Sequence, residues 1–146
     1  MSQSDRRGCM NVERISAVTL FVKDMEKSCS FYSTLPGFKL KYGGSMNDSF
    51  TTFEIGINPA NITYLNLDLF VDIDYQKHKR EHCGRVIFHI DDVDEMYTYL
   101  HDNKRIAKLI SFSGEPVDAP WGERYFHVLD PDGYVISFAK PIKGIN

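Results

Sequence analysis

Hydrophobic and polar positions along the chain predict one series of elements in its first half. Ile15–Asp24 alternates between apolar and polar residues, as a half-buried β-strand does. Asp24 then stands as a helix N-cap before an apolar stripe, and Pro36-Gly37 ends that helix. Three further strands are predicted by the patterns at Phe38–Tyr42, Phe50–Ile57 and Ile62–Val71.

The second half of the chain repeats this series. Arg85–Asp91 is predicted to be a strand, and Asp92 with Glu95 has the spacing of a capping box that opens a helix. A loop is expected at 114–122. Strands are predicted on either side of it, at Ile106–Ser113, Arg124–Leu129 and Tyr134–Lys140.

The repeat predicts an α+β fold made of two tandem βαβββ modules. Residues 18–27 align with residues 86–95, and a charge-dense segment separates the two blocks. The predicted organisation is a lead-in at 1–12, modules at 13–71 and 85–142, a polar linker at 72–84 and a tail at 143–146. Two such modules would form a curved mixed sheet around a cavity, where we expect a small ligand to bind.

Composition narrows the classes of function. The chain carries a net charge of −3, which disfavours a broad basic face for nucleic acid. Neither a membrane span nor a secretory signal is predicted from its apolar runs. The three cysteines cannot all pair and fit no zinc motif, so a reducing cytoplasm is expected.

Three segments resemble the vicinal oxygen chelate superfamily, which includes glyoxalase I, extradiol dioxygenases, and fosfomycin- and bleomycin-resistance proteins. They are AVTLFVKDMEKSCSFYSTLPGFKL, RVIFHIDDVDEMYTYL and PWGERYFHVLDPDGYVISF. The resemblance spans about residues 14–142. PWGER before the last hairpin is most similar to the bleomycin-resistance branch, in which cavities form between two chains. The resemblance therefore implies antibiotic resistance as a role and a homodimer as the assembly.

The resemblance also implies a divalent metal held by His, Glu or Gln, yet none of these occupies the corresponding positions. Those positions fall on Ala17, Leu65, Arg85 and Ser137. Alanine and leucine have no donor atom, arginine stays protonated, and a lone serine hydroxyl is a poor ligand. We therefore expect a cavity without a metal or another cofactor.

Strand alternation suggests which side chains line the cavity instead. The candidates are Arg85, His89, His127, Tyr125, Trp121, Ser137, Thr19 and Phe21. Arg85 either binds a carboxylate, phosphate or carbonyl group of the ligand or forms an internal salt bridge. His89 and His127 form a proton-transferring pair, remain two separate strand histidines, or bind a relocated metal with a carboxylate such as Glu123.

Three functions remain open from the sequence. The first is a metal-independent protein that binds a small aromatic or drug-like molecule and acts by sequestration. The second is a lyase, isomerase or dioxygenase that uses a relocated metal or Arg85 and His127. The third is a regulatory or scaffold module that has kept the fold and lost the site, which a cavity filled by its own aromatic side chains would support.

Overall fold

A computed structural model describes residues 13–70 and 85–142. The predicted lead-in, the whole of the predicted linker and the tail lie outside the described residues. The first module contains β1 (Ala17–Val22), α1 (Met25–Tyr32), β2 (Phe38–Tyr42), β3 (Phe50–Ile55), a 3-10 turn (Pro59–Asn61) and β4 (Thr63–Leu69). The second contains β5 (Arg85–His89), α2 (Val93–Asp102), α3 (Lys104–Ala107), β6 (Ser111–Phe112), β7 (Val117–Ala119), β8 (Glu123–Leu129) and β9 (Val135–Pro141). Within these ranges no helix has the length and apolarity to cross a membrane.

Each module forms its own mixed sheet. The first sheet has the order β1-β4-β3-β2, with β1 parallel to β4 and the other pairs antiparallel. The second has the order β5-β9-β8-β6, with β5 parallel to β9 and with β7 added to β8. This architecture confirms the predicted α+β class with two βαβββ modules.

The two long helices begin where their capping residues predict. The Asp24 carboxylate accepts a hydrogen bond from the amide of Lys27, and the Asp92 carboxylate accepts one from the amide of Glu95. Each helix then buries one apolar stripe against its sheet. The buried stripes consist of Met25, Cys29 and Tyr32 in α1 and of Val93, Met96 and Leu100 in α2.

The predicted strand at Ile106–Ser113 is wrong over most of its length. Its first residues belong to α3, and only Ser111–Phe112 is a strand. Asn103 caps α3 through its side chain, and Ile106 is buried in that helix. A short buried apolar run has the same pattern in a helix and in a strand. The predicted loop 114–122 also contains β7, which pairs with β8.

The core lies on the helix side of both sheets, so the opposite face of each sheet is left open. In β1, Leu20 and Val22 are buried, whereas Thr19 and Phe21 on the other face are exposed. The same alternation buries Phe126 and Val128 in β8. We call the face opposite the helices the open face of each sheet.

A buried polar cluster attaches the first module to the turn between β8 and β9. The Tyr32 hydroxyl donates to the Asp130 carboxylate at 2.6 Å, and the Ser28 hydroxyl donates to Asp132 at 3.1 Å. The amide of Lys23 also donates to Asp132. Burial raises the pKa of Asp130 above its usual range, and the hydrogen bond from Tyr32 partly offsets this effect. The relative position of the two modules therefore depends on this turn.

Candidate functional site

The open face of the second sheet carries a cleft of about 210 Å³. We call it the aromatic cleft, and its lining residues are Arg85, Ile87, Trp121, Glu123, Tyr125, His127 and Ser137. His127 lies directly opposite Ser137 in the β8–β9 ladder, as the four-residue turn between the strands predicts. The structure thus brings together five of the eight candidate site residues.

Aromatic rings line one wall of the cleft in a continuous row. Trp121 stacks on Tyr125 with ring centroids 6.0 Å apart and an interplanar angle of 19°. Tyr125 in turn contacts the imidazole of His127, with ring centroids 4.7 Å apart and an interplanar angle of 41°. Trp121 is 67% exposed, and its indole N–H donates to Glu123 at 3.2 Å. The row therefore presents aromatic surface on which a planar molecule can stack.

A chain of hydrogen bonds runs along the base of the cleft. Arg85 Nη1 lies 3.2 Å from His127 Nε2, and His127 Nδ1 lies 2.6 Å from the Ser137 hydroxyl. Arginine only donates hydrogen bonds, so Nε2 must be the accepting, unprotonated nitrogen. Neutral His127 therefore carries its proton on Nδ1 and donates it to Ser137. Because both ring nitrogens are engaged, the orientation of the imidazole is fixed.

The pKa of His127 lies below its ordinary value. Burial is the larger cause because it disfavours the charged ring, and the positive charge of Arg85 adds to the effect. The folded protein consequently binds fewer protons at His127 than the unfolded chain does. The free energy of unfolding therefore decreases as the pH falls below about 6.5, the ordinary pKa of histidine, because the unfolded chain then gains a proton that the folded protein binds less readily.

Replacing Arg85 with glutamine is expected to raise the pKa of His127, because the neighbouring positive charge is removed. The pKa of His127 should still stay below about 6.5, the ordinary value for histidine, because burial remains. Following the His127 ring protons by NMR across a pH titration measures this pKa in the wild-type chain and in the variant. An unchanged His127 pKa in Arg85→Gln would contradict the electrostatic contact.

A second cavity of about 490 Å³ lies between the two modules. We call it the seam cavity, because β1 and β5 contribute to its walls from either side. Its lining is mainly apolar, with Thr19 from β1 and with Arg85 and Ile87, which it shares with the aromatic cleft. Arg85 therefore lies where the two cavities meet.

Two candidate residues lie outside both cavities. His89 is on the open face of β5, where it lies opposite Ala139 of β9. His127 belongs to β8, on the other side of β9, and lies opposite Ser137. The two histidines are therefore separate. Phe21 is 42% exposed on the open face of the first sheet, and its ring contacts Phe70 at 5.5 Å.

The prediction that a ligand position of the superfamily falls on Leu65 is wrong, because that side chain does not face the open side of the sheet. Leu65 is 1% exposed in the core, so its neighbour Asn66 faces the open side of the sheet. Asn66 accepts a hydrogen bond from Thr52 at 2.8 Å and donates one to Thr19 at 3.2 Å. Sequence reasoning missed Asn66, although the apolar pair Leu65 and Leu67 already indicated which side of β4 is buried.

The residues at the ligand positions of the superfamily do not fit a metal. Ala17 has no donor atom, and Asn66 is already hydrogen-bonded to two threonines. On the second sheet, Arg85 would repel a cation. It also donates a hydrogen bond to Nε2 of His127, so the lone pair of that nitrogen is not available to a metal. Across residues 13–70 and 85–142, no three His, Cys, Asp or Glu side chains are grouped closely enough to hold an ion.

Comparison with known proteins defines the class of the chain. The family model described as the Glyoxalase/Bleomycin resistance protein/Dioxygenase superfamily matches residues 14–138. The match spans most of the 146 residues, so the chain belongs to this superfamily. A search of curated proteins finds no match. The superfamily predicted from the sequence is thereby confirmed, whereas the match does not specify a branch.

Solved structures of superfamily members share the fold. A member from Sphaerobacter thermophilus is 22% identical, with a TM-score of 0.58, and the match covers 88% of this chain and 97% of that one. A glyoxalase family protein from Bacillus cereus is 19% identical, with a TM-score of 0.62 and coverages of 90% and 96%. One from Nocardioides is 23% identical, with a TM-score of 0.55 and coverages of 97% and 93%. These similarities establish the fold alone.

Proposed function

We propose that the protein binds a small planar aromatic molecule in the aromatic cleft, without a metal, and acts by sequestering it. The observation that carries this proposal is the row of Trp121, Tyr125 and His127, which ends at Arg85. A row of rings in contact, with Trp121 exposed at its end, offers a surface to a planar ligand. A ligand that covers the exposed ring of Trp121 would also remove its apolar surface from water, which is favourable.

The size of the site supports a ligand larger than a metabolite of a few atoms. The seam cavity alone measures about 490 Å³, within the range of about 300–1,000 Å³ usual for drug-sized ligands. It adjoins the aromatic cleft at Arg85 and Ile87. This open volume also disfavours a scaffold whose cavity is filled by its own side chains.

The assembly we propose is a homodimer. The open faces of both sheets expose large apolar groups, with Phe21 42% exposed on the first sheet and Ile87 57% exposed on the second. A second copy of the chain would cover these groups and close the cleft over its ligand. PWGER supports the bleomycin-resistance branch, in which resistance to an antibiotic would be the role. Among the described residues Cys29 is a free buried thiol, which supports a reducing, cytoplasmic location.

An Arg/His-based enzyme is the second candidate, and the hydrogen-bonded chain of Arg85, His127 and Ser137 favours it. A lowered pKa leaves His127 neutral near pH 7, as a general base requires. However, the lone pair on Nε2 is already held by Arg85. Catalysis would first have to break this contact, so we place binding ahead of turnover.

The proposal is tested with naphthoate and naphthamide as planar probes, in buffer containing EDTA. Trp121 is the only tryptophan, so its indole N–H gives a single cross-peak in a proton–nitrogen correlation spectrum. Saturable movement of this cross-peak reports occupation of the cleft. After prolonged incubation the probe is recovered and checked by chromatography.

We expect saturable binding with one site per chain and recovery of the unchanged probe. Binding that requires an added divalent metal would contradict the metal-independent proposal. A cross-peak that neither probe moves would contradict the aromatic site itself. Conversion of either probe would favour the enzymatic candidate over sequestration.

A further inference from the structure

Resting on the proposed function, we infer that the ligand is a planar aromatic carboxylate whose acid group binds Arg85. The aromatic part would stack on Tyr125 and Trp121, with the carboxylate at the junction of the two cavities. This inference specifies the chemical class of the ligand, which the aromatic row alone does not.

Arg85 is available for an anion. Its one side-chain hydrogen bond among the described residues joins Nη1 to His127, and no carboxylate of residues 13–70 or 85–142 forms an ion pair with it. The Nε–Nη2 edge of the guanidinium is therefore free of described partners. Two parallel N–H groups on such an edge match the two oxygens of a carboxylate.

The guanidinium is also held in position before a ligand arrives. Arg85 donates to His127, and His127 donates to Ser137, which is buried under the cleft. His127 and Ser137 are thus positioning residues for Arg85. An ordered donor loses less conformational entropy on binding than a free arginine side chain does, so this chain favours a preformed anion site.

The acidic residue in the lining of the cleft is already hydrogen-bonded to another side chain. Glu123 accepts the indole N–H of Trp121 at 3.2 Å. Among the described residues no ion pair joins Glu123 to Arg85. Glu123 therefore does not occupy the guanidinium of Arg85, which stays open to a carboxylate.

Naphthoate and naphthamide test this inference, because they share the same rings and differ in charge. Their affinities are measured through the Trp121 indole cross-peak for the wild-type chain, Arg85→Gln and Arg85→Lys. The matched control is Arg105→Gln, which removes the same charge from α3 on the helix side. Circular dichroism confirms that each variant is folded.

We expect the wild-type chain to bind naphthoate about tenfold or more tightly than naphthamide, as the loss of a charged hydrogen-bonded pair implies. Arg85→Gln should remove most of this preference, because it weakens the binding of naphthoate much more than the binding of naphthamide. Arg85→Lys should keep part of the preference, because lysine retains the charge and loses the paired donors. Arg105→Gln should behave as the wild type does.

Equal affinity of the two probes for the wild-type chain, unaffected by Arg85→Gln, would overturn the carboxylate inference. Binding itself would persist in that case, so the proposed aromatic site would stand. A cross-peak that moves with neither probe would overturn both the inference and the proposed function.

Discussion

Replacing Asp130 with alanine is expected to lower the free energy of unfolding by about 3 kcal/mol. Asp130 is 4% exposed and accepts hydrogen bonds from the Tyr32 hydroxyl and from the amides of Asp132 and Tyr134. Removing the carboxylate leaves these buried donors without their acceptor. Each unsatisfied donor lowers the free energy of unfolding by about 1–3 kcal/mol unless water enters. Urea unfolding measures the change.

The control for this substitution is Asp102→Ala. Asp102 is exposed at the end of α2, and among the described residues its one polar side-chain contact is with the neighbouring His101. A surface pair of this kind contributes about 0.5 kcal/mol or less. Tyr32→Phe removes only the hydroxyl and should cost about half as much as Asp130→Ala. Equal stabilities of Asp130→Ala and Asp102→Ala would show that the turn does not hold the modules together.

Replacing Tyr125 with leucine is expected to weaken naphthamide binding about tenfold. Tyr125 lies between Trp121 and His127, so its ring forms the middle of the aromatic row. Leucine retains apolar volume but loses the flat stacking surface, which is worth about 0.5–1.5 kcal/mol in addition to the buried area. Equilibrium dialysis against the probe measures the affinity directly.

Tyr99→Leu is the matched control for the aromatic row. Tyr99 lies on α2, and its hydroxyl bonds to the backbone of Thr34, away from the cleft. We expect its affinity for naphthamide to stay within about twofold of the wild type. Equal losses in the two variants would indicate a general effect on the fold and would contradict a stacking role for Tyr125.

The repeated pattern of the chain was sufficient to predict the architecture, because each element carries a local signal. Asp24 and Asp92 begin the helices as capping residues, and the alternation in β1 and β8 separates core from open face. The strand predicted at Ile106–Ser113 was wrong, because a buried apolar run of that length has no distinctive period.

The candidate site could be predicted in part. Alternation along β8 and the short turn after it placed Tyr125, His127 and Ser137 on one face. The contact between Arg85 and His127 depends on β9 lying between their strands, which is a property of the sheet order. Asn66 was missed because aligning the two turns shifted the register in β4 by one residue.

Two positions that hold metal ligands in other members of the superfamily carry hydrogen-bonded side chains in this protein. Ser137 and Arg85 occupy two of the four positions, and His127 joins them into one hydrogen-bonded chain. A cation at this point would face the charge of Arg85. An anion would be attracted to it. We therefore propose that an anion-binding aromatic cleft stands where other members of the superfamily hold a metal.

Metal content tests the central claim most directly, because every step of the account requires a cleft that works without an ion. Protein purified without chelator and without a tag is dialysed, and bound Mn, Fe, Co, Ni, Cu and Zn are determined per chain by elemental mass spectrometry. The account predicts substoichiometric traces that dialysis removes. One tightly held metal ion per chain would contradict it and would redirect the search toward metal-dependent lyase or dioxygenase substrates.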